Sequence, residues 1–481
     1  MADLLVRNLD WLIVWDEANA RHAYARGWDV AVTDGVITHL GPGFTGTAAR
    51  EIDGRGLMAM PGLVNVHSHA SYIAVTKGLY EESAVPNAPD PVAGVLHVFS
   101  PLMTLQEHEK PHALNYALAE LLLSGCTSIC DLAFAWDGWL DTLGASGIRA
   151  WAAVQYASAR YTSANGHTLG YDWDTAGDGA RLREAVAVAD RAARHGSGRL
   201  SPMLVPAQVD SCSEALFRNT AAVASERGWV MQTHAAQTEW EVREMMQRHG
   251  CTSIAWLDRI GFLGPRTTLG HVVFTDQHPW MHLHARDDLP TLARTGTTVA
   301  HCPTTQTRRG KTLQSFARYR RAGIAMAIGT DIHPHNMLDE LRCATVMAKV
   351  ADGDAHALFV DDTFAAATVG GARALNRNDL GRLAAGCRAD IVLVDVQHWT
   401  MKPLRDPLRS LVFTGLDRAV RHVFVDGIQV VADGACLTID VEAAAAGLEA
   451  AQKRMLGDVP SRDPQGRSID AIIPRSLPML G

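Results

Sequence analysis

Met60-Pro61-Gly62-Leu63-Val64-Asn65-Val66-His67-Ser68-His69 is an apolar run that ends in two histidines spaced i, i+2. Successive side chains of a β-strand alternate faces, so His67 and His69 point the same way, and two imidazoles on one face can grip a single divalent cation. The stretch therefore reads as a strand that ends in a metal pair. A His-x-His triplet alone is a weak sign in a chain with 21 histidines, so its weight depends on what stands elsewhere.

Three more histidines and an aspartate stand at or just after the ends of other short apolar runs. They close Gly228-Trp229-Val230-Met231-Gln232-Thr233-His234, Thr267-Thr268-Leu269-Gly270-His271, Thr297-Thr298-Val299-Ala300-His301 and Ile324-Ala325-Met326-Ala327-Ile328-Gly329-Thr330-Asp331. Between such runs the apolar spacing turns helical. Leu114, Ala117, Leu118, Leu121 and Leu122 repeat at i, i+3, i+4, i+7 and i+8, Gly125 breaks the pattern, and Thr127-Ser128-Ile129-Cys130 starts a strand. Strands that finish in metal-competent residues and alternate with helices predict a (β/α)8 TIM-type barrel, whose C-terminal mouth gathers those ends.

Residues 1–59 instead alternate short β-rich runs with turns: Leu4–Val6, Trp11–Val14, Trp28–Val32 and Val36–Leu40. Ala389–Val394 and Val420–Val425 share that character. Together they predict a small β-sandwich domain built from both chain ends, with its first part at 1–59, the barrel at 60–384 and its second part at 385–440. Residues 441–481 read as an Ala-rich helix around Val441 to Met455 followed by a Pro-containing tail.

Composition bounds the function. With 481 residues, 47% hydrophobic and 20% charged, the chain can bury a large core. A net charge of -8 and the lack of any long basic run exclude a nucleic-acid or anionic-lipid footprint. No stretch approaches the ~20 apolar residues of a membrane span, and charges break the N-terminus before a signal-type core forms. The expected location is cytoplasmic. The eight cysteines lie in apolar segments without a Cys-x-x-Cys pair, which favours buried free thiols over disulfides.

The set Pro61 to His69, His234, His271, His301-Cys302-Pro303 and Gly329-Thr330-Asp331 resembles the amidohydrolase superfamily, and within it the branch of s-triazine hydrolases, guanine deaminases and related deaminases. The match runs in order over residues 1 to about 440. The resemblance implies a mononuclear centre with His67, His69, His234 and Asp331 as ligands. Zn2+ is the expected ion for three imidazoles and a carboxylate, with Fe2+, Co2+ or Mn2+ compatible. It further implies that Asp331 moves the proton of an activated water, and that His271 contacts the water and the substrate rather than the metal. Assembly of identical chains is also common in the family.

One departure matters most. Many deaminases of this branch carry His-x-x-Glu, whose glutamate shuttles a proton to a ring nitrogen, whereas this chain reads His234-Ala235-Ala236-Gln237-Thr238-Glu239. Glutamine bonds but does not transfer protons. The expected reaction is therefore hydrolysis of an amide, urea or carbamate C–N bond in a small molecule, with Gln237 contacting the substrate. The alternative is a deaminase or dechlorinase of a nitrogen heterocycle with Glu239 as a displaced shuttle. A non-catalytic scaffold is disfavoured by the intact ligand set.

His301 and His333 are candidate substrate contacts, although Thr304-Thr305-Gln306 stands where the family often has Ser-Asn. His335, just beyond the barrel mouth, reads with His333 as pocket lining. His278, His282 and His284 read as a surface loop or, alternatively, a second metal site. Ala70 to Ser100, with Tyr72, Tyr80, Glu81, Glu82, His97 and Phe99, reads as a lid or pocket wall, and Trp136 and Trp139 as either a pocket wall or a core pair.

Overall fold

A computed structural model describes residues 1–79, 81, 104–162, 169–283, 285–463 and 465–479. Eight parallel strands form its centre: β1 (Leu63–Ser68), β2 (Cys126–Ala133), β3 (Arg149–Tyr156), β4 (Leu200–Pro206), β5 (Val230–Ala235), β6 (Thr267–His271), β7 (Thr298–His301) and β8 (Ala325–Ile328). They pair in chain order from β1 to β8. Nearly every strand residue is buried, as a sheet covered on both faces requires.

The sheet closes into a barrel through a parallel bridge between Ser68 and Asp331. The Asp331 N–H donates to the His67 carbonyl at 2.9 Å, and the His69 N–H donates to the Asp331 carbonyl at 2.9 Å. Asn65 reinforces the seam: its Oδ1 accepts from the Thr330 N–H at 3.1 Å, and its Nδ2 donates to Thr330 Oγ1 at 2.8 Å. Barrel closure thus sets the first His pair and the aspartate against each other.

The helix predicted from the Leu114 to Leu122 spacing spans Lys110–Leu123, with Leu114, Ala117, Leu118, Leu121 and Leu122 all fully buried. A second domain combines two sheets. One holds Val36–Gly41, Trp28–Thr33, Ala2–Leu9 and Ala48–Asp53. The other mixes both chain ends, running from Ala435–Cys436 through Ile428–Ala432, Val420–Val425, Ile391–Asp395, Leu57–Pro61 and Trp11–Asp16 to Arg21–Ala25. Leu4, Val6, Val30 and Val32 of the first share a core with Leu12, Ile391, Leu393 and Phe424 of the second, which makes the pair a sandwich.

The run Met60 to Val66, which looks like one strand in sequence, serves both domains. Leu57–Pro61 pairs antiparallel with Ile391–Asp395 in the sandwich, and the chain then enters β1. The change of sheet falls at Gly62, where an added Cβ would lie 2.0 Å from Thr127 Oγ1. The C-terminal helix extends over Val441–Arg462. Its Gln452 Nε2 donates to the carbonyls of Val75 and Lys77 at 2.7 and 2.8 Å. Val459 and Ile472 pack with Ile73 and Ile332, so the C-terminal segment braces the connections that follow β1 and β8. All eight cysteines are free thiols. Among the described residues no helix is long and apolar enough to cross a membrane.

Candidate metal centre

His67 and His69 at the end of β1, His234 in β5 and Asp331 just past β8 converge at the barrel mouth, each buried, with one ligand atom apiece all within 4.8 Å of one another. Asp331 Oδ1 lies 3.3 Å from His67 Nε2 and 3.4 Å from His69 Nε2, and His69 Nε2 lies 3.3 Å from His234 Nε2. Asp331 reaches this place with φ of +60°, a conformation that aspartate tolerates better than most residues. Gly270 also fits its neighbour closely, since a Cβ there would lie 2.7 Å from His67 Cε1.

The far ring nitrogens explain why the near ones are available. His67 Nδ1 meets Gln232 Oε1, His69 Nδ1 meets the Leu132 carbonyl at 2.9 Å, and His234 Nδ1 meets the Ala207 carbonyl at 2.6 Å. Each of these partners is an oxygen acceptor, so Nδ1 carries the proton and Nε2 presents its lone pair inward. His67 Nε2 is buried without a hydrogen-bond partner. Such an atom, facing two imidazoles and a carboxylate, fits a divalent ion of the zinc type.

Charge within the cluster follows the same logic. Burial alone raises the Asp331 carboxyl pKa, but the imidazoles of His271, His67 and His69 outweigh it and hold the group well below the usual range. Burial and then the neighbouring imidazoles press His234 well below its ordinary value. Burial also lowers His69, yet Asp331 outweighs it and the net shift is upward. The aspartate is thus ionised and His234 neutral near pH 7, the forms that ligate metal.

His271 ends β6 and is fully buried, its Nε2 3.9 Å from Asp331 Oδ1. Burial pushes it down to about 3 despite Asp331. Gln237 follows β5, buried, with its Oε1 lacking a hydrogen-bond partner. Glu239 opens the next helix, and its carboxylate lies 3.9 Å from Lys311 Nζ. His301 ends β7 with its Nδ1 buried and unpartnered, packed near Phe316.

The remaining candidates fall outside the cluster. His333 is buried between Thr76 Oγ1 at 3.1 Å and Glu81 Oε1 at 3.3 Å, and His335 Nδ1 lies 3.5 Å from Glu120 Oε2. Both side chains tie the connection after β8 to the elements following β1. His278 is buried against Phe274 and Trp280, while His282 is exposed in a connection without strand structure. Among the described residues no second group of metal-competent side chains gathers. Tyr80, Glu82, His97, Phe99 and His284 lie outside the described residues. Tyr72 places its hydroxyl 2.9 Å from His69 Nδ1, and Trp139 is core, with its Nε1 donating to Asp131 at 2.8 Å.

Four supporting residues lie outside the site set expected from the sequence. Gln232 holds His67 and also donates from Nε2 to the Val66 carbonyl at 2.9 Å. Asp131 at the end of β2 accepts from the Ser71 hydroxyl and Trp139. Glu241 caps the turn after His234, accepting from the N–H groups of Ala236 and Gln237 at 2.5 and 2.8 Å and from Ser253 Oγ at 2.6 Å. Gln306 approaches His271 Nδ1 at 3.3 Å. Only Gln232 is traceable in sequence, because it stands two residues before His234 and so shares its face of β5.

The profile of the Amidohydrolase family matches residues 58–430, a span that holds every member of the cluster. The chain belongs to the amidohydrolase family. As a member it is an enzyme, a hydrolase of C–N bonds other than peptide bonds. Among family relatives, 8-oxoguanine deaminase of Pseudomonas aeruginosa is 30% identical over 90% of this chain and 96% of its own length. 5'-Deoxyadenosine deaminase of Methanothermobacter thermautotrophicus is 30% identical over 83% of this chain and 87% of its own. Solved structures share the amidohydrolase fold. Zinc-bound atrazine chlorohydrolase of Arthrobacter aurescens superposes with a TM-score of 0.79 at 24% identity, covering 93% of this chain and all of that one. A zinc-bound adenosine deaminase of Xanthomonas campestris gives 0.78 at 23% identity, covering 94% of this chain and 98% of that one.

Proposed function

We propose that this amidohydrolase cleaves a C–N bond at an acyl-type carbon, as in an amide, urea or carbamate, of a small molecule. The observation that carries the reading is Gln237. A proton-transferring carboxylate in that position would serve a ring nitrogen, and an amide side chain does not move protons. Glu241, the nearest carboxyl in sequence beyond Glu239, is committed to two N–H donors of the turn before it and to the Ser253 hydroxyl of the following helix. Burial, with Asp210 nearby, also raises its pKa to about 8. It holds the turn rather than the substrate.

His67, His69, His234 and Asp331 would hold one divalent ion, which when bound acidifies a water molecule and polarises the substrate oxygen. The nitrogen-rich set supports zinc as the native ion. Asp331, ionised in the free site, accepts the proton of the attacking water and returns it to the leaving nitrogen. His271, buried beside Asp331, hydrogen-bonds the substrate oxygen. Gln237 and His301 contact the remainder of the substrate, and His333 supports the wall from its bonds to Thr76 and Glu81. A cytoplasmic homo-oligomer is part of the same reading, which native mass spectrometry and cell fractionation test.

A second reading, deamination of a nitrogen heterocycle, is favoured by the relatives, which include deaminases of 8-oxoguanine and 5'-deoxyadenosine. It needs Glu239 as the shuttle, and that carboxylate faces Lys311. Amine release from anilides, ureas and carbamates is measured beside ammonia release from aminopurines and aminotriazines, and both are repeated on two variants. The acyl reading expects Gln237→Ala to cost about 1–2 kcal/mol, the scale of one hydrogen bond, and Glu239→Gln to turn over normally. Ammonia release that falls on the order of 10²–10⁴-fold in Glu239→Gln, the size of a lost general acid, replaces it with the deaminase reading.

A further inference from the structure

His271 does not share the hydrogen-bonding pattern of the three buried histidines expected to ligate metal. His67, His69 and His234 each turn Nδ1 toward an oxygen acceptor. His271 turns Nδ1 toward the side-chain nitrogen of Gln306 at 3.3 Å. An amide nitrogen donates, so the ring nitrogen opposite it must accept, and the single proton of the neutral ring then sits on Nε2. We propose that Gln306 is the positioning residue that fixes His271 in its Nε2–H form, so that His271 faces the reacting centre as a hydrogen-bond donor and not as a metal ligand.

The surroundings support this orientation of the amide. Gln306 and His271 are both fully buried, so water does not rearrange the contact. His271 Nε2 has no partner of its own and lies 3.9 Å from Asp331 Oδ1. A proton there faces a carboxylate, whereas a bare nitrogen would set two lone pairs against each other. Exchanging the amide oxygen and nitrogen of Gln306 would also bury its NH2 without an acceptor. As placed, the NH2 has an acceptor in His271 Nδ1 and the unpartnered atom is Oε1, and orphaned acceptors are better tolerated than orphaned donors.

Gln306 is held to this task by its backbone. It lies in the short helix Pro303–Thr307 that follows β7, and its carbonyl accepts from the N–H groups of Arg309 and Lys311 at 3.0 and 3.1 Å. Thr304 N–H in the same turn donates to Glu340 Oε2 at 3.0 Å. A side chain one methylene longer than asparagine thus reaches from β7 to the histidine of the neighbouring strand β6.

The inference rests on the hydrolytic reading of the site, but its test does not need turnover. The full-length zinc-loaded protein is labelled with 15N-histidine, and the His271 ring signals are assigned by their loss in His271→Asn. Long-range 1H–15N correlation then reads which nitrogen is protonated. The expected result is Nε2–H in the native chain and Nδ1–H in Gln306→Glu, whose carboxylate accepts from Nδ1. The same variant should keep its zinc and its KM while kcat falls on the order of 10²–10³-fold, the loss of one preorganised donor. Gln306→Met, which sets neither form, should show a mixture of tautomers and a smaller fall. Nδ1–H in the native protein, or Nε2–H retained in Gln306→Glu, overturns the inference. A protein with the expected tautomer that hydrolyses no C–N bond would instead refute the proposed function and leave the role of Gln306 standing.

Discussion

Replacing Gln232 by leucine removes the acceptor of His67 while putting an apolar side chain of similar size in its place inside the barrel. His67 is wholly buried, so its Nδ1–H has no water to turn to, and the Val66 carbonyl loses the Gln232 Nε2 donor in the same stroke. One buried donor left unmade costs about 1–3 kcal/mol. The ring, freed from its anchor, also loses the bias that keeps Nε2 bare. Removing a residue that orients a metal-ligating histidine typically weakens metal binding ~10–100-fold. Competition with a chelator of known affinity, followed by elemental analysis, measures the change, and urea unfolding of the metal-free chain measures the stability term separately. A folded Gln232→Leu protein that binds zinc as tightly as the native chain would refute the argument that the far ring nitrogen sets the near one.

Asp331→Asn should fold, because the closing backbone bonds to His67 and His69 remain, yet lose most turnover, since an amide does not accept the proton of the attacking water. Its activity is measured at saturating metal to separate catalysis from binding. Gly270→Ala should lower metal occupancy more than it lowers the melting temperature, because the added methyl meets His67 Cε1 at 2.7 Å. Burial holds His301 down to about 3 from its ordinary 6.5. The unfolded chain therefore gains a proton below 6.5 that the folded chain refuses until about 3, and stability is lost as pH falls through that window. Denaturant unfolding between pH 7.5 and 5 should show a shallower loss in His301→Asn; an unchanged slope would mean that His301 is protonated more easily than its burial implies.

Much of this centre was legible in the sequence because its chemistry repeats a simple position. His67, His69, His234, His271 and His301 all lie within or at the end of apolar runs that became strands, and Asp331 follows one directly. A parallel barrel brings all such ends to one mouth, so position along each strand was sufficient. The supports were hidden for the opposite reason. Asp131 and Gln306 matter through partners on other segments and Glu241 through the turn before it and Ser253, and an acidic or amide residue near a strand end is more often solvated than buried. The sandwich was visible as a β-rich pattern at both ends. Its order was not, since Leu57–Pro61 and β1 form one unbroken apolar run, and only the packing of Thr127 against Gly62 marks the change of sheet.

The most direct test of the central claim is metal stoichiometry followed together with turnover during chelation and reconstitution. The full-length protein should carry about one transition-metal ion per chain, lose C–N bond hydrolysis as that ion is withdrawn, and recover it on adding zinc. His234→Ala should fail on both counts. A metal-free protein that remains fully active, or a His234→Ala chain that retains one ion per chain and native turnover, would contradict the assignment of His67, His69, His234 and Asp331 as the catalytic metal site.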